Sequence, residues 1–370
     1  MIRGMSRNAP HSNDRLATLD LLRLLAALAV VAFHYLFRGA AGEPMLDVAF
    51  PEAERFAIFG YLGVNLFFLI SGFVIAWSAE GRDFTGFAIA RFARLYPGFL
   101  VCMAASFVVL ALAADPRWPV ESGQFAANLA IFAPALGKPF VDGVYWSIVL
   151  EIVFYGWVAL ALLFGVFERW KLPLVAGWLG LCVLNEFLLH SGALRMVFVT
   201  EFGPWFAGGI LMHHLWSRGV SAEALMLLGA SFLVSCNMLA IAQGWMDVHY
   251  GRSIGLGALL AANLAMHALL VAAIAARGLV PATPLVLALG GLTYPLYLLH
   301  QNIGYLAINA LSGPAGRWGA AALVTGAMLL LSWAIWRFVD TPLRPGVTRT
   351  LRAVSTHLPA WKPRAAVGNA

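Results

Sequence analysis

The 370-residue chain is 61% hydrophobic and 11% charged, against about 25% charged in an average soluble domain, so a soluble fold of this size would lack the polar side chains to cover itself. Its formal net charge of +6, with no basic stripe interleaved with aromatics, reads as topology-setting arginine and lysine and speaks against a nucleic-acid partner. The three cysteines, Cys102, Cys182 and Cys236, lie in apolar runs without a Cys-x-x-Cys spacing, which argues against a disulfide framework or a zinc site.

Apolar runs of the length that crosses roughly 30 Å of hydrocarbon recur from one end of the chain to the other. Ten spans are predicted, at about 16–38, 57–78, 88–114, 144–166, 172–190, 201–217, 223–243, 253–276, 284–309 and 316–339. The fold expected is an all-α, polytopic membrane helix bundle, divided into a tail at 1–15, a membrane domain at 16–343 and a basic tail at 344–370. From Thr348 onwards that tail shows no hydrophobic period and is expected to be disordered. The start of the chain has the outline of a signal peptide, but Asp20 and Arg23 interrupt what would be its uncharged core, so an uncleaved first helix is expected. Residues 123–136 are apolar but short and bounded by Pro119 and Pro134, which leaves a re-entrant or interfacial piece open. The spacings of Gly60, Gly63 and Gly72, and of Gly203, Gly208 and Gly209, point to close helix packing.

With both termini in the cytoplasm, about 15 basic residues fall on that side and about 7 on the other, a positive-inside bias. The first outer loop is acidic, with Glu43, Asp47, Glu52 and Glu54.

Ionisable groups inside a membrane cost several kcal/mol unless paired or hydrated, so each is a functional candidate. In the first span, Arg23 and His34 are eleven residues apart, about 1100° of helix, which leaves them on one face roughly 16 Å apart. Asp20 is one turn from Arg23 and placed to pair with it. In the third span, Arg91 and Arg94 stand three apart at the cytoplasmic entry; they either grip phosphate or set topology. In the fourth, Ser147, Glu151 and Tyr155 line one stripe at i, i+4, i+8, and a mid-span carboxylate has to be protonated or partnered. In the ninth, Tyr297 and His300 can share a face. His213-His214, without a spaced third ligand, read as interfacial side chains, and no metal site is expected.

These residues carry a pattern that resembles acyltransferase family 3, membrane proteins that O-acylate bacterial surface glycans and related acceptors. Leu19-Asp20-Leu21-Leu22-Arg23, followed by ten residues and His34, matches the family's best-known signature, and Gly63 to Phe73 resembles its second motif. Arg91 to Pro97, Tyr145 to Tyr155 and Thr293 to His300 follow in the family's order; Asp340-Thr341-Pro342 stands where Glu-x-Pro is common, and Thr293 where serine is usual. The resemblance covers about residues 16 to 343 and looks like the stand-alone form, without a fused SGNH hydrolase domain.

The resemblance implies acyl-CoA, acetyl-CoA above all, as co-substrate on the cytoplasmic side, no bound cofactor, and a carbohydrate or glycolipid hydroxyl as acceptor. Arg91 and Arg94 would then take phosphates of the donor, with Asp20 supporting Arg23 as it holds the donor where the pantetheine arm enters. His34 would act as general base, a task suited to an imidazole that titrates near neutrality. Glu151 would orient His34 or contact the sugar, and Ser147, Tyr155, Tyr297 and His300 are candidate acceptor or oxyanion contacts. A covalent acyl-enzyme stays open. The setting implied is the bacterial inner membrane, in contact with lipid, with any periplasmic partner a separate chain. The competing class is a proton-coupled carrier, which also buries Asp, Arg, Glu and His; it would be favoured by internal repeats, and none is visible between the two halves.

Overall fold

A computed structural model describes residues 16–42 and 44–356; the expectations placed on 1–15, on Glu43 and on the tail from 357 fall outside them. Among the described residues there is no strand. The helices run α1 (Ala17–Phe33), α2 (Pro51–Ala57), α3 (Leu62–Ala79), α4 (Phe84–Ala113), α5 (Ser122–Leu129), α6 (Tyr145–Leu163), α7 (Lys171–Leu184), α8 (Gly192–Phe198), α9 (Gly203–Arg218), α10 (Ala222–Tyr250), α11 (Leu256–Ala275), α12 (Pro284–Ile335) and α13 (Thr341–Ser355).

Eight helical segments among the described residues are long and apolar enough to cross a membrane. The last, Pro284–Ser355, holds two crossings, because Gly316 (φ 67°, ψ 161°) interrupts it. α9, at 16 residues, is shorter, but every side chain from Gly203 to His213 is buried. Counted in this way the ten expected crossings are present, and the chain is an all-α integral membrane bundle. Large apolar side chains such as Leu112, Leu233 and Val248 face outward, where hydrocarbon rather than water is the compatible solvent.

Glycine sets the closest crossings. A Cβ on Gly60 or Gly63 would overlap the carbonyls of Ala29 and Ala26 on α1, and one on Gly72 or Gly209 would overlap those of Phe206 and Leu69 where α3 meets α9. Backbones at that separation gain the dispersion contacts that hold helices together where the hydrophobic effect does not. The packing role expected for these glycines is what the structure shows.

The crossings alternate, so one end of the bundle gathers residues 16–23, 80–94, 164–171, 217–222 and 340–355; Arg94 pairs there with Asp340, and Arg218 with Glu168. We call this the basic end. At the opposite end Arg252 pairs with Glu54 and Arg317 with Glu52. The long connection between α4 and α6 also lies at that opposite end. Residues 122–136 form α5 and a 3-10 turn (Ala133–Leu136), and the Asn128 side chain bonds Pro139 O at 3.0 Å and the Val141 N–H at 3.2 Å. The connection is tied to α12 by Asp142, wholly buried, whose carboxylate accepts the Val144 and Asn302 N–H groups. Burial pushes its carboxyl up to about 7, against the pull of those two bonds.

The expectation of a disordered tail from Thr348 needs correction for residues 348–355, which belong to α13. The chain keeps helical dihedrals through Asp340 and Thr341. An apolar stripe of Leu343, Val347, Leu351 and Val354 spans the helix at i, i+4, i+8, i+11. That period begins before Thr348, so a reading that starts there loses it.

Candidate functional site

Two of the residues that place the site, Asp20 and Arg23, sit on α1, and His34 follows at its end. Asp20 is buried because Gly290 of α12 leaves room for it; a Cβ there would overlap the Asp20 side chain. The Arg23 Nη1 donates to Asp20 Oδ1 at 3.2 Å. At its other end α1 opens into a π-helical turn, His34–Arg38, with the Gly39 N–H on the His34 carbonyl at 2.8 Å. Such turns widen a helix locally and recur at functional sites. A second one, Trp336–Asp340, joins α12 to α13.

A cavity of about 320 Å³ enters the bundle from the basic end. Asp20 and Arg23 line it from α1, Arg91 and Arg94 from α4, and Ser147, Glu151 and Tyr155 from α6. Ser71 of α3, Thr293, Tyr294 and Tyr297 of α12, and Arg344 of α13 add to the polar lining. Eight of the ten residues singled out in the sequence therefore meet in one space. Four arginines stand at or near its mouth, and the Nε of Arg91 is buried with no hydrogen-bond partner. Such a group is costly unless an anion arrives to accept from it.

Asp340, wholly buried, organises that mouth. Its Oδ2 accepts from Arg94 Nη1 at 3.4 Å and from Arg344 Nη2 at 2.8 Å. Sequence reasoning missed this pair of contacts. In the sequence Asp340 stands out only as part of a motif and Arg344 only as a tail charge; the signal available is their i, i+4 spacing beside a span end. It also missed Ser71, whose hydroxyl donates to Glu151 Oε1 at 3.1 Å. Tyr155 donates to the same oxygen. These are Glu151's hydrogen bonds; the suggestion that it orients His34 is not what the geometry provides.

The inner end of the cavity is closed by two hydroxyls, Ser147 Oγ and Tyr297 OH, 2.6 Å apart, each also within reach of the Val144 carbonyl. One helical turn further along α12, beyond the cavity lining, lies His300, its ring centroid 5.8 Å from that of Tyr297. His300 is fully buried and its Nε2 is 3.1 Å from Nδ1 of His34, with ring centroids 4.8 Å apart. His34 itself is only half-buried. The close fit of α1 to α12 here depends on Gly304, which faces the Tyr35 hydroxyl, and Tyr35 in turn donates to the His300 carbonyl at 2.7 Å.

His213, expected at an interface, is instead fully buried, edge-on to Phe73, with Glu80 at 3.8 Å. Among the described residues no group of three or more His, Cys, Asp or Glu side chains is arranged to hold a metal ion.

Residues 16–337 match a family described as an acyltransferase domain. The chain is similar to Nodulation protein 10 of Rhizobium leguminosarum bv. viciae, 24% identical over 366 residues that cover 90% of this chain and 95% of that protein. It is also similar to Exopolysaccharide production protein ExoZ of Rhizobium meliloti (strain 1021), 25% identical over 310 residues, 80% of this chain and 93% of that one. Similarity to Acyltransferase MdmB of Streptomyces mycarofaciens is higher, 33%, but runs over 148 residues, 38% of each chain. No solved structure matches the chain significantly. Since the domain match extends from the first crossing into the last π turn, this protein belongs to that acyltransferase family and is a membrane O-acyltransferase.

Proposed function

We propose that the protein moves an acyl group, acetyl in the first instance, from acyl-CoA at the cytoplasmic face of a bacterial inner membrane to a hydroxyl of a carbohydrate or glycolipid. The observation that carries this reading is an arginine-lined cavity that enters from the basic end and stops one helical turn short of a histidine pair. The excess of arginine and lysine at that end makes it the cytoplasmic one. Arg91, Arg94 and Arg344 take the donor phosphates there, since planar guanidinium groups match phosphate oxygens in pairs. Arg23, deeper and braced by Asp20, meets the pantetheine arm. A cavity of about 320 Å³ admits the arm and a short acyl group while the nucleotide stays at the mouth.

The thioester then lies at the Ser147–Tyr297 end, where a hydroxyl that turns from its partner toward the carbonyl stabilises the developing oxyanion. His34 accepts the proton of the acceptor hydroxyl as its oxygen attacks the thioester carbon. The C–S bond breaks, the acyl group stays on the acceptor oxygen, and the thiolate leaves as free CoA after taking the proton back from His34. Glycan acceptors are supported by the relatives, one of them named for exopolysaccharide production.

The test is to supply inside-out membranes carrying the protein with labelled acetyl-CoA and to look for label in the glycan and glycolipid fractions. Transfer by the wild type and none by His34→Ala, with both proteins inserted in equal amount, is the expected result. Label that remains entirely in acetyl-CoA or acetate with the wild type overturns the reading.

A further inference from the structure

Taking His34 as the base, we infer that His300 is the positioning residue that fixes its tautomer and supports its charged form during transfer. The argument starts from the buried end of the pair. His300 Nδ1 lies 2.8 Å from the carbonyl oxygen of Tyr297 and 3.1 Å from that of Leu296. Both are acceptors, so Nδ1 has to carry the proton; a bare lone pair there would face two others in a space with no solvent. In a neutral imidazole the second nitrogen is then unprotonated, which makes His300 Nε2 an acceptor.

His300 Nε2 faces His34 Nδ1 at 3.1 Å, and two lone pairs cannot face each other at that distance. His34 Nδ1 therefore carries its proton and shares it between His300 Nε2 and the carbonyl of Val30, 2.9 Å away on its own helix. The opposite assignment, with His300 Nε2 donating, would strip the proton from the nitrogen that faces the Leu296 and Tyr297 carbonyls. With Nδ1 protonated, the lone pair of neutral His34 is on Nε2, the nitrogen that can take a proton; the Gln301 side chain also hydrogen-bonds to the His34 ring.

The consequence is chemical. When Nε2 takes the acceptor's proton, His34 becomes an imidazolium whose Nδ1–H already points at a lone pair and a carbonyl, so the new charge arises in an environment arranged to receive it. No proton leaves His300 at any point. The proton gained at His34 Nε2 returns to the thiolate, and the pair is restored. His300 acts through His34 and needs no contact with either substrate.

His300→Phe keeps an aromatic ring of similar size but removes the acceptor; His300→Gln restores a carbonyl oxygen near the Nε2 position. In the membrane assay described above, we expect His300→Phe to lower the maximal rate at least tenfold with the KM for acetyl-CoA within twofold of wild type. His300→Gln should recover a large part of that loss. Thermal unfolding of both purified variants is followed alongside, to show that they are folded. A His300→Phe enzyme at the wild-type rate overturns the proposal. So does a folded His300→Gln enzyme no better than His300→Phe, since that result assigns the ring a purely steric role. Failure of the wild type to transfer acetyl would instead remove the acyl-CoA reading on which the proposal rests.

Discussion

Asp340 and Arg94 are 246 residues apart and joined by an ion pair of 3.4 Å, and the same carboxylate oxygen also holds Arg344 on the next helix. One buried charge thus ties the C-terminal helix to α4 and aims two guanidinium groups at the cavity mouth. Removing one partner of a buried ion pair typically costs about 3–5 kcal/mol, so Asp340→Asn is expected to lower the unfolding temperature clearly. Arg344→Ala, which leaves Asp340 with Arg94, should be milder for stability but should raise the KM for acetyl-CoA several-fold with little change in maximal rate. An unchanged KM would return Arg344 to a topological role.

Arg23 tests the planar geometry rather than the charge. Arg23→Lys keeps a cation beside Asp20 but offers a point charge where a fork stood. A loss of about 2 kcal/mol, roughly 30-fold in kcat/KM, is expected from a charged hydrogen bond made badly. Steady-state kinetics with acetyl-CoA would measure it.

The hydroxyl pair at the end of the cavity makes a separate prediction. If either group stabilises the oxyanion, Tyr297→Phe or Ser147→Ala should lower kcat by about 100-fold while leaving donor KM unchanged. Losses confined to thermal stability would mean that the two hydroxyls serve each other and the Val144 carbonyl.

Gly72 and Gly209 offer a test of packing alone. A methyl group at either meets a backbone carbonyl across the α3–α9 crossing, and backbone cannot move aside as a side chain can. Gly72→Ala and Gly209→Ala are each expected to destabilise by about 1–3 kcal/mol, read as a fall in unfolding temperature in detergent.

Asp142 gives a pH dependence with a definite sign. Its carboxyl sits at about 7 in the folded protein, against about 4 when unfolded, so the folded state holds the proton more tightly. Its contribution to stability is therefore greatest at low pH and is lost as pH rises from about 4 to about 7. Asp142→Asn does not titrate. The difference in unfolding temperature, wild type minus variant, should fall across that window and level off above it; a flat difference would contradict the assignment.

Much of the site was legible because chemistry in a membrane is conspicuous. Asp20, Arg23 and Glu151 stand out by cost alone, and the eleven-residue step from Arg23 to His34 put both on one face. What was not legible depends on how helices cross. Nothing local in the sequence pairs His34 with His300, 266 residues away; that contact follows from backbones brought together at Gly290 and Gly304. Glu151 is expected to orient His34 or to contact the sugar; α6 presents it to Ser71 of α3, which fits only the second of these. The C-terminal helix is not legible because its apolar stripe begins at Leu343, between the last expected span at 316–339 and the tail read from Thr348.

The first helix also bears on how such a protein is made. Membrane helices enter the bilayer broadly in the order of synthesis, so α1 arrives long before α12 exists to receive it. Its polar groups have provisional partners on their own helix: Arg23 on Asp20, and His34 Nδ1 on the Val30 carbonyl. α12 follows the same rule, with His300 on Leu296 and Tyr297 and Thr293 on Gly290, as does α6 with Tyr155 on Glu151. Each segment thus carries some of its polar groups into hydrocarbon already partnered on its own helix. Assembly of the catalytic centre then adds contacts between helices, such as His34 Nδ1 to His300 Nε2, to these retained intrahelical bonds, and is completed only when the ninth crossing docks.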